Sequence, residues 1–331
     1  MGTAAWLGID VSKRKIDVAL EWDGGRRAKV FGNDPDGWSK LLSWLRGLGA
    51  EDVHACLEAT GPYGEGVALA LHEAGHRVSI VNPAQVKHFA RTRLGRNKTD
   101  RLDAALIRDY CRLFGPPPWT PPSPAMRALR DLVRTRQVLL VTCRTWSNRR
   151  GTGEYADAAA ASMDRVIERL ETELAEVERA IEAAIQGDPD LRHRHGLLVS
   201  IPGIGSVTAA VVLVEMPCPG VLRQARAAAA YAGLTPSQHQ SGATARPARL
   251  SKVGNAALRQ ALYFPAITAM RFNPAVAALR QRLQVQNRLK PMQVVAAAMR
   301  KLLHLCFGVL KTGKPFDPDH VTAKDKAAVV A

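Results

Sequence analysis

Acidic side chains fall well short of basic ones in this chain. Thirty Asp and Glu stand against 46 Lys and Arg over 331 residues, a formal net charge of +16 at pH 7 and an isoelectric point near 10.1. A surface this basic gains free energy by releasing counterions from a polyphosphate, which points to nucleic acid. Cysteine is sparse too. Cys56, Cys111, Cys143, Cys218 and Cys306 are scattered, odd in number and form no C-x-x-C pair. That argues against a disulfide framework or a zinc site, and for a reducing compartment. No secretory leader opens the sequence as given, and no apolar run reaches the ~18–20 residues that span a bilayer. No basic amphipathic helix with an aromatic face stands out. No membrane partner is therefore expected, and the expected location is the cytoplasm. No internal repeat is found. The apolar content, 47%, suffices for real cores, and two domains are the natural prior at this length.

Apolar, β-prone runs fall at 5–10, 16–22, 27–31, 53–58 and 77–81. Helical patterns fall at 36–48, 63–74, 84–92 and 100–113. Short turns such as Trp22 to Gly25 join the early strands. An antiparallel hairpin set followed by βα units is expected, as in a ribonuclease-H-like sheet. Residues 115–124 hold a run of prolines that no helix or central strand can cross, so a domain boundary is placed there. All six tryptophans lie before residue 147, so the halves differ in composition. Beyond the boundary, a basic arm over 125–145 carries Arg127, Arg130, Arg134, Arg136 and Arg144. A second arm carries Met163, Ile167, Leu170, Leu174, Val177, Ile181 and Ala184, a 4-3-4-3 spacing that favours coiled-coil packing. The arms look short or interrupted over 146–160, around Gly151 and Gly153. Residues 196–310 read as mostly helical, and those after Gly313 as a flexible tail. The expected domains are 1–115, 116–190, 191–312 and the tail 313–331.

Four acids are spaced along the first half. Asp10 closes the run Trp6-Leu-Gly-Ile-Asp10, and Glu58 closes Val53-His-Ala-Cys-Leu-Glu58. Asp100 and Asp103 lie in Asn97-Lys-Thr-Asp100-Arg-Leu-Asp103-Ala104, three apart in a helical pattern and so on one face. Phosphodiester chemistry needs hard oxygen ligands for divalent cations, and strand ends are rigid mounts for them. Taken singly, each acid is more often solvated or a helix cap. Gly8-Ile-Asp10-Val-Ser12 also resembles the first phosphate loop of sugar-kinase and actin-like ATPases. Those proteins place Gly where this chain has Val11, and no second adenosine motif follows.

In the second half, Ile201-Pro-Gly203-Ile-Gly205 reads as a helix-hairpin-helix turn whose following helix offers amides to a phosphate. The alternative is a plain corner in a helical core. Gly233-Leu-Thr-Pro236 and Gln240-Ser241-Gly242 come next. They lead to a basic stretch with Arg246, Arg249 and Lys252, ending in Lys252-Val-Gly-Asn255 before a helix over 255–264. Ser241 is the candidate nucleophile, because the cations after it can hold and neutralise a phosphate. Ser237 and Ser251 are rivals. Tyr231 and Tyr263 sit in apolar helical contexts that favour core packing.

Taken together and in order, these motifs resemble the DEDD transposases of insertion sequences, the family numbered one-hundred-and-ten, which includes the Piv-type DNA invertases. The resemblance covers almost the whole chain. It implies an α/β N-terminal RuvC-like (ribonuclease-H-like) domain, a helical coiled-coil linker and a mostly α C-terminal transposase domain. It implies a metal site of Asp10, Glu58, Asp100 and Asp103 for Mg²⁺ or Mn²⁺, and Ser241 as a nucleophile that forms a transient phosphoserine with DNA. It implies donor and target DNA and a bridge RNA as partners, in a bacterial, nucleoid-associated setting. It also implies dimers that pair into tetramers, and allows an active site built from the metal domain of one protomer and the serine domain of another. The competing expectation is a RuvC-like metal nuclease that resolves junctions without a serine intermediate.

Overall fold

The structure, a computed structural model, describes residues 5–59, 61–92, 100–219, 221–237, 240–241, 244–245, 249–286 and 289–319. It divides into two compact units, Met1–Pro122 and Ser123–Ala331.

The first unit is built on one mixed sheet. Strands β1 (Ala5–Val11), β2 (Lys15–Trp22) and β3 (Gly25–Gly32) form an antiparallel meander, and β4 (Val53–Glu58) and β5 (Arg77–Val81) add parallel to β1. The strand order is β3-β2-β1-β4-β5. Side chains alternate across a strand, so two faces follow from the sequence. Leu7, Ile9, Val18, Leu20, Val53, Ala55 and Leu57 face one way and pack with Leu41 and Leu45 of α1 (Pro35–Gly47) and Val67 and Leu71 of α2 (Glu65–Glu73). Helix α1 starts where Asp34 accepts a bond from the Gly37 amide at 2.7 Å, with Pro35 opening the first turn. The opposite face, with Trp6, Cys56 and Val81, packs against Val86 and Phe89 of α3 (Pro83–Thr92) and Ile107 and Cys111 of α4 (Asp100–Phe114). The proline-rich segment does not leave this unit at once. The Ser79 hydroxyl donates to the carbonyls of Pro116 and Pro117 (3.0 and 2.9 Å), and the Trp119 amide donates to the Val78 carbonyl at 2.7 Å.

The second unit is helical. Helices α5 (Pro124–Gly151) and α6 (Asp157–Gly187) form an antiparallel hairpin. Arg150 meets Asp164 near its turn (2.9 Å) and Arg136 meets Glu178 midway (2.6 Å). The expected interruption over 146–160 contracts to Thr152–Ala156, because α5 stays helical through Gly151. At its base the hairpin buries Leu129, Val133, Ile181 and Ile185 against Leu191 of α7 (Pro189–Val199) and Ala210 of α8 (Ser206–Glu215). Helices α9 (Ala225–Tyr231), α10 (Ala256–Phe272), α11 (Pro274–Val285) and α12 (Pro291–Thr312) complete the main core.

Two expectations change here. Helix α10 does not stop at 264 but runs through Pro265. An interior proline costs ~3 kcal/mol, and the buried Leu262, Ala266 and Ala269 on either side of it offset that cost. Helix α12 is, by length and composition, apolar enough to cross a bilayer. Its Val294, Ala298, Leu302, Leu303 and Cys306 are instead core residues of the unit, so packing accounts for the apolar run.

Candidate active site

Gly8 fixes where α4 crosses the sheet. A Cβ there would lie 2.8 Å from the Arg108 Cα and collide with the Ala104 carbonyl and the Arg108 amide. Farther back along β1, Trp6 pairs with Glu21, and the Glu21 carboxylate holds Arg108 (3.3 Å), Arg112 (3.7 Å) and Arg26 (3.0 Å). Arg108 also contacts Asp109 at 2.6 Å, with its own side chain 7% exposed. Helix α4 therefore runs antiparallel to β1. Its first turns, with Asp100 and Asp103, point toward the Asp10 end.

The sheet register brings Glu58 to the same place. Gly8 is level with Cys56 and Ile9 with Leu57, so Asp10 and Glu58 lie at the C-terminal ends of adjacent parallel strands, on the face that α4 covers. Asp103 is partly buried on α4. Asp100 is the first residue of α4, but its side chain, like Asn97 to Thr99, lies outside the described residues. Among the described residues, no group of three His, Cys, Asp or Glu is close enough to hold a metal ion. One acid went unnoticed in the sequence. Asp17 pairs with Asp10 across the β1–β2 hairpin, so both point to the same face. It is nearly buried and contacts Lys15 at 3.0 Å. The tight turn after Val11 was the available signal, since it sets that register.

Behind the acids the packing is apolar. Cys56 and Cys111 are buried free thiols, as are Cys143 and Cys306, and Cys218 is free and exposed. The Cys56 thiol is pushed up, first by its hydrogen bond to Cys111 and then by burial, so it remains a neutral core group.

In the second unit, two short antiparallel pairings carry the serine. Pro236–Ser237 (β6) pairs with Arg249–Leu250 (β9), and Gln240–Ser241 (β7) pairs with Thr244–Ala245 (β8). Ser241 lies opposite Thr244 in the second of these pairings. Its side chain and that of Arg249 lie outside the described residues, as does all of Arg246. The backbone that flanks these pairings is tightly specified. The Ser251 amide donates to the Thr235 carbonyl (2.9 Å) and the Lys252 amide to the Gly233 carbonyl (3.1 Å). Gly254, at φ +132°, passes so close to the Tyr231 carbonyl that no side chain fits. Lys252 is exposed and, among the described residues, the non-glycine residue with a positive φ, at 56°, a strained geometry that such crossed loops impose. Asn255 caps α10 by accepting from the Leu258 amide (2.9 Å) and donates to Glu215 (2.7 Å), which also binds Arg134 of α5 (3.3 Å). Glu215 was not singled out from sequence, and only the folded contacts reveal it.

Two further expectations are placed. Tyr231 is 40% exposed rather than a core residue, and Tyr263 is partly buried, its hydroxyl 3.9 Å from the Met292 sulfur. Gly203, at φ +103°, abuts Ala269 of α10, where a Cβ would come within 2.8 Å. Gly205 is the N-cap of α8. The Ser206 hydroxyl there donates to Glu182 at 3.1 Å and lies 3.2 Å from His195. Close packing accounts for Gly203.

The chain matches two family descriptions. A DEDD transposase of the IS110 type covers residues 7–150, and a transposase of the IS116/IS110/IS902 family covers residues 195–281. A pilin gene-inverting protein from Moraxella bovis is 31% identical over 94% of this chain and 97% of its own length. Its counterpart from Moraxella lacunata is 30% identical over the same shares. A protein of insertion element IS110 from Streptomyces coelicolor is 28% identical over 46% of this chain and 38% of its own length. With both halves matched and relatives aligned almost end to end, the chain belongs to the IS110 family of DEDD transposases, enzymes of DNA recombination.

Proposed function

We propose that this protein is an RNA-guided DNA recombinase that cuts and rejoins strands through a transient phosphoserine at Ser241. The observation that carries the reading is the seating of α4 on Gly8, which sends Asp103 toward the strand ends that bear Asp10 and Glu58. The strand order β3-β2-β1-β4-β5, with its antiparallel and parallel halves, supports a RuvC-like, ribonuclease-H-like domain. The apolar stripe of α6 against α5 supports a coiled-coil linker.

Asp10, Glu58, Asp103 and Asp100 are the residues that would hold Mg²⁺ or Mn²⁺, since all are hard oxygen donors on rigid elements around one face. Such an ion supplies charge stabilisation to attacking and leaving oxygens. In the second unit the Ser241 Oγ bonds to phosphorus as the ester bond to a sugar oxygen breaks, and the serine proton ends on that leaving oxygen. The hydroxyl of another strand then reverses the step, so joining needs no ATP. Arg246, Arg249 and Lys252 offset the phosphate charge. A net charge of +16 suits a protein that grips donor DNA, target DNA and a bridge RNA by their backbones while base pairing reads sequence. Assembly as dimers that pair into tetramers, in the cytoplasm on nucleoid DNA, completes the reading. The inversion activity named for the Moraxella relatives fits the same chemistry.

The test is a recombination reaction stopped in denaturant, with the DNA-linked peptide mapped. An adduct on Ser241, absent from Ser241→Ala protein that still binds RNA and DNA, is expected. An adduct on Tyr231, Tyr263 or Ser251, or full activity in protein stripped of RNA, refutes the corresponding part.

A further inference from the structure

No Asp or Glu occurs between Glu215 and Asp317, while fifteen Lys and Arg do. Within this acid-free stretch, α10 turns an unusual face to solvent. Gln260, Phe264, Thr268 and Phe272 recur every four residues and so form one stripe. All four are exposed, Phe264 by 67% and Phe272 by 70%. Beside the stripe a hollow of about 190 Å³ opens between α10, α11 and α12. Its floor includes Ile267, Met270 and Val294, and Arg271, Arg280 and Gln284 line it as well. The Arg280 guanidinium donates to the Gln284 amide oxygen at 3.1 Å, which orients two planar polar groups there.

Two large aromatic rings left in water mark a binding surface. Their surroundings select the partner. A stretch of chain that carries cations and no carboxylate favours a polyanion, and flat rings beside cations are the elements that stack nucleobases. The rings are two helical turns apart, about 12 Å, against ~3.4 Å between stacked neighbours in a duplex strand. Only a strand freed from its complement can open its bases to that spacing. The cap of α10, Asn255, also follows Lys252 by three residues in the chain.

We propose that this face of α10 binds unpaired DNA, with bases stacked on Phe264 and Phe272, one base in the hollow, and phosphates on Arg271 and Arg280. The choice of DNA rests on the assignment of Ser241 as the residue joined to the cut strand. The face then receives the unpaired nucleotides next to the break and keeps them apart from their old complement until exchange.

The test measures equilibrium binding of fluorescent single-stranded DNA, duplex DNA and single-stranded RNA of one sequence at fixed salt. It uses the full chain with and without Phe264→Ala and Phe272→Ala, all in Ser241→Ala protein so that no covalent link contributes. Each substitution is expected to weaken single-stranded DNA binding by roughly ten-fold, to leave duplex binding within about two-fold, and to be rescued by Phe264→Trp or Phe272→Trp. Unchanged single-stranded DNA affinity overturns the proposal. So does a loss confined to RNA, or dissociation of an oligomer in light scattering with DNA affinity intact. Because these affinities do not depend on the nucleophile, they hold or fail separately from the phosphoserine.

Discussion

Replacing Gly8 by alanine tests the geometry on which the carboxylate site depends. The added methyl has no flexible neighbour to displace. It meets the backbone of α4 at Ala104 and Arg108, with the Arg108 Cα at 2.8 Å against the ~3.5–4.0 Å of ordinary carbon contact. The helix must therefore retreat by on the order of 1 Å, while Glu21 and its arginines hold the other end of the crossing. Overpacking of this kind costs ~1–3 kcal/mol, a drop of several degrees in the melting temperature of a unit this size. The larger effect falls on Asp103, which rides on α4, whereas Asp10 and Glu58 stay with the sheet. A ~1 Å misplacement of reacting groups costs about 100-fold in rate. The assay pairs thermal unfolding with metal-dependent strand cleavage. Gly47→Ala in α1 is the control, because a Cβ there meets nothing within 4 Å. Gly8→Ala protein with wild-type melting and wild-type cleavage refutes the α4 seating and with it the proposed convergence.

Asp10→Ala, Glu58→Ala and Asp103→Ala are each expected to abolish strand cleavage while the protein stays folded by circular dichroism. Glu21→Ala removes one of the two carboxylates that contact the nearly buried Arg108, Asp109 remaining, and is expected to cost ~1–3 kcal/mol in urea unfolding. Glu215→Ala leaves the Asn255 cap and Arg134 without their shared acceptor. It is expected to destabilise by ~1–3 kcal/mol and to slow recombination while RNA binding persists. Burial first, then Arg300, Lys301 and Arg226, hold the His304 imidazole at about 4 against 6.5 when unfolded. The unfolded chain binds the extra proton between those values. Stability is therefore complete above pH 6.5 and declines toward pH 4, and His304→Gln is expected to flatten that decline in melting temperature against pH.

The five strands of the sheet were readable in the sequence because alternation is a local signal, and the ends of β1 and β4 could be placed to within a residue. The crossing of α4 was not readable. Gly8 looked like part of a strand motif, and only the packed helix shows why a side chain is excluded there. Asp17 escaped because one acid in a hairpin arm looks like any solvated residue until the register sets it opposite Asp10. Helix α10 was cut short at Pro265 because local propensity predicts a stop, whereas burial on both sides carries the helix onward. The apolar run of α12 went unnoticed since Arg300 and Lys301 interrupt it in sequence. Glu215 lies forty residues from Asn255 and eighty-one from Arg134, a separation at which a lone chain holds no signal of contact.

The sheet's two margins are guarded in different ways. Strand β3, at one margin, shows Arg26, Arg27 and Lys29 to solvent, and such charges repel a second sheet that tries to add to it. Strand β5, at the other margin, is blocked by the chain's own prolines, tied down through Ser79 and by the amide of Trp119 at Val78. A basic enzyme concentrated along nucleic acid is crowded against its own copies. Both free strand borders are then closed to the edge-to-edge growth that leads to amyloid-like aggregates.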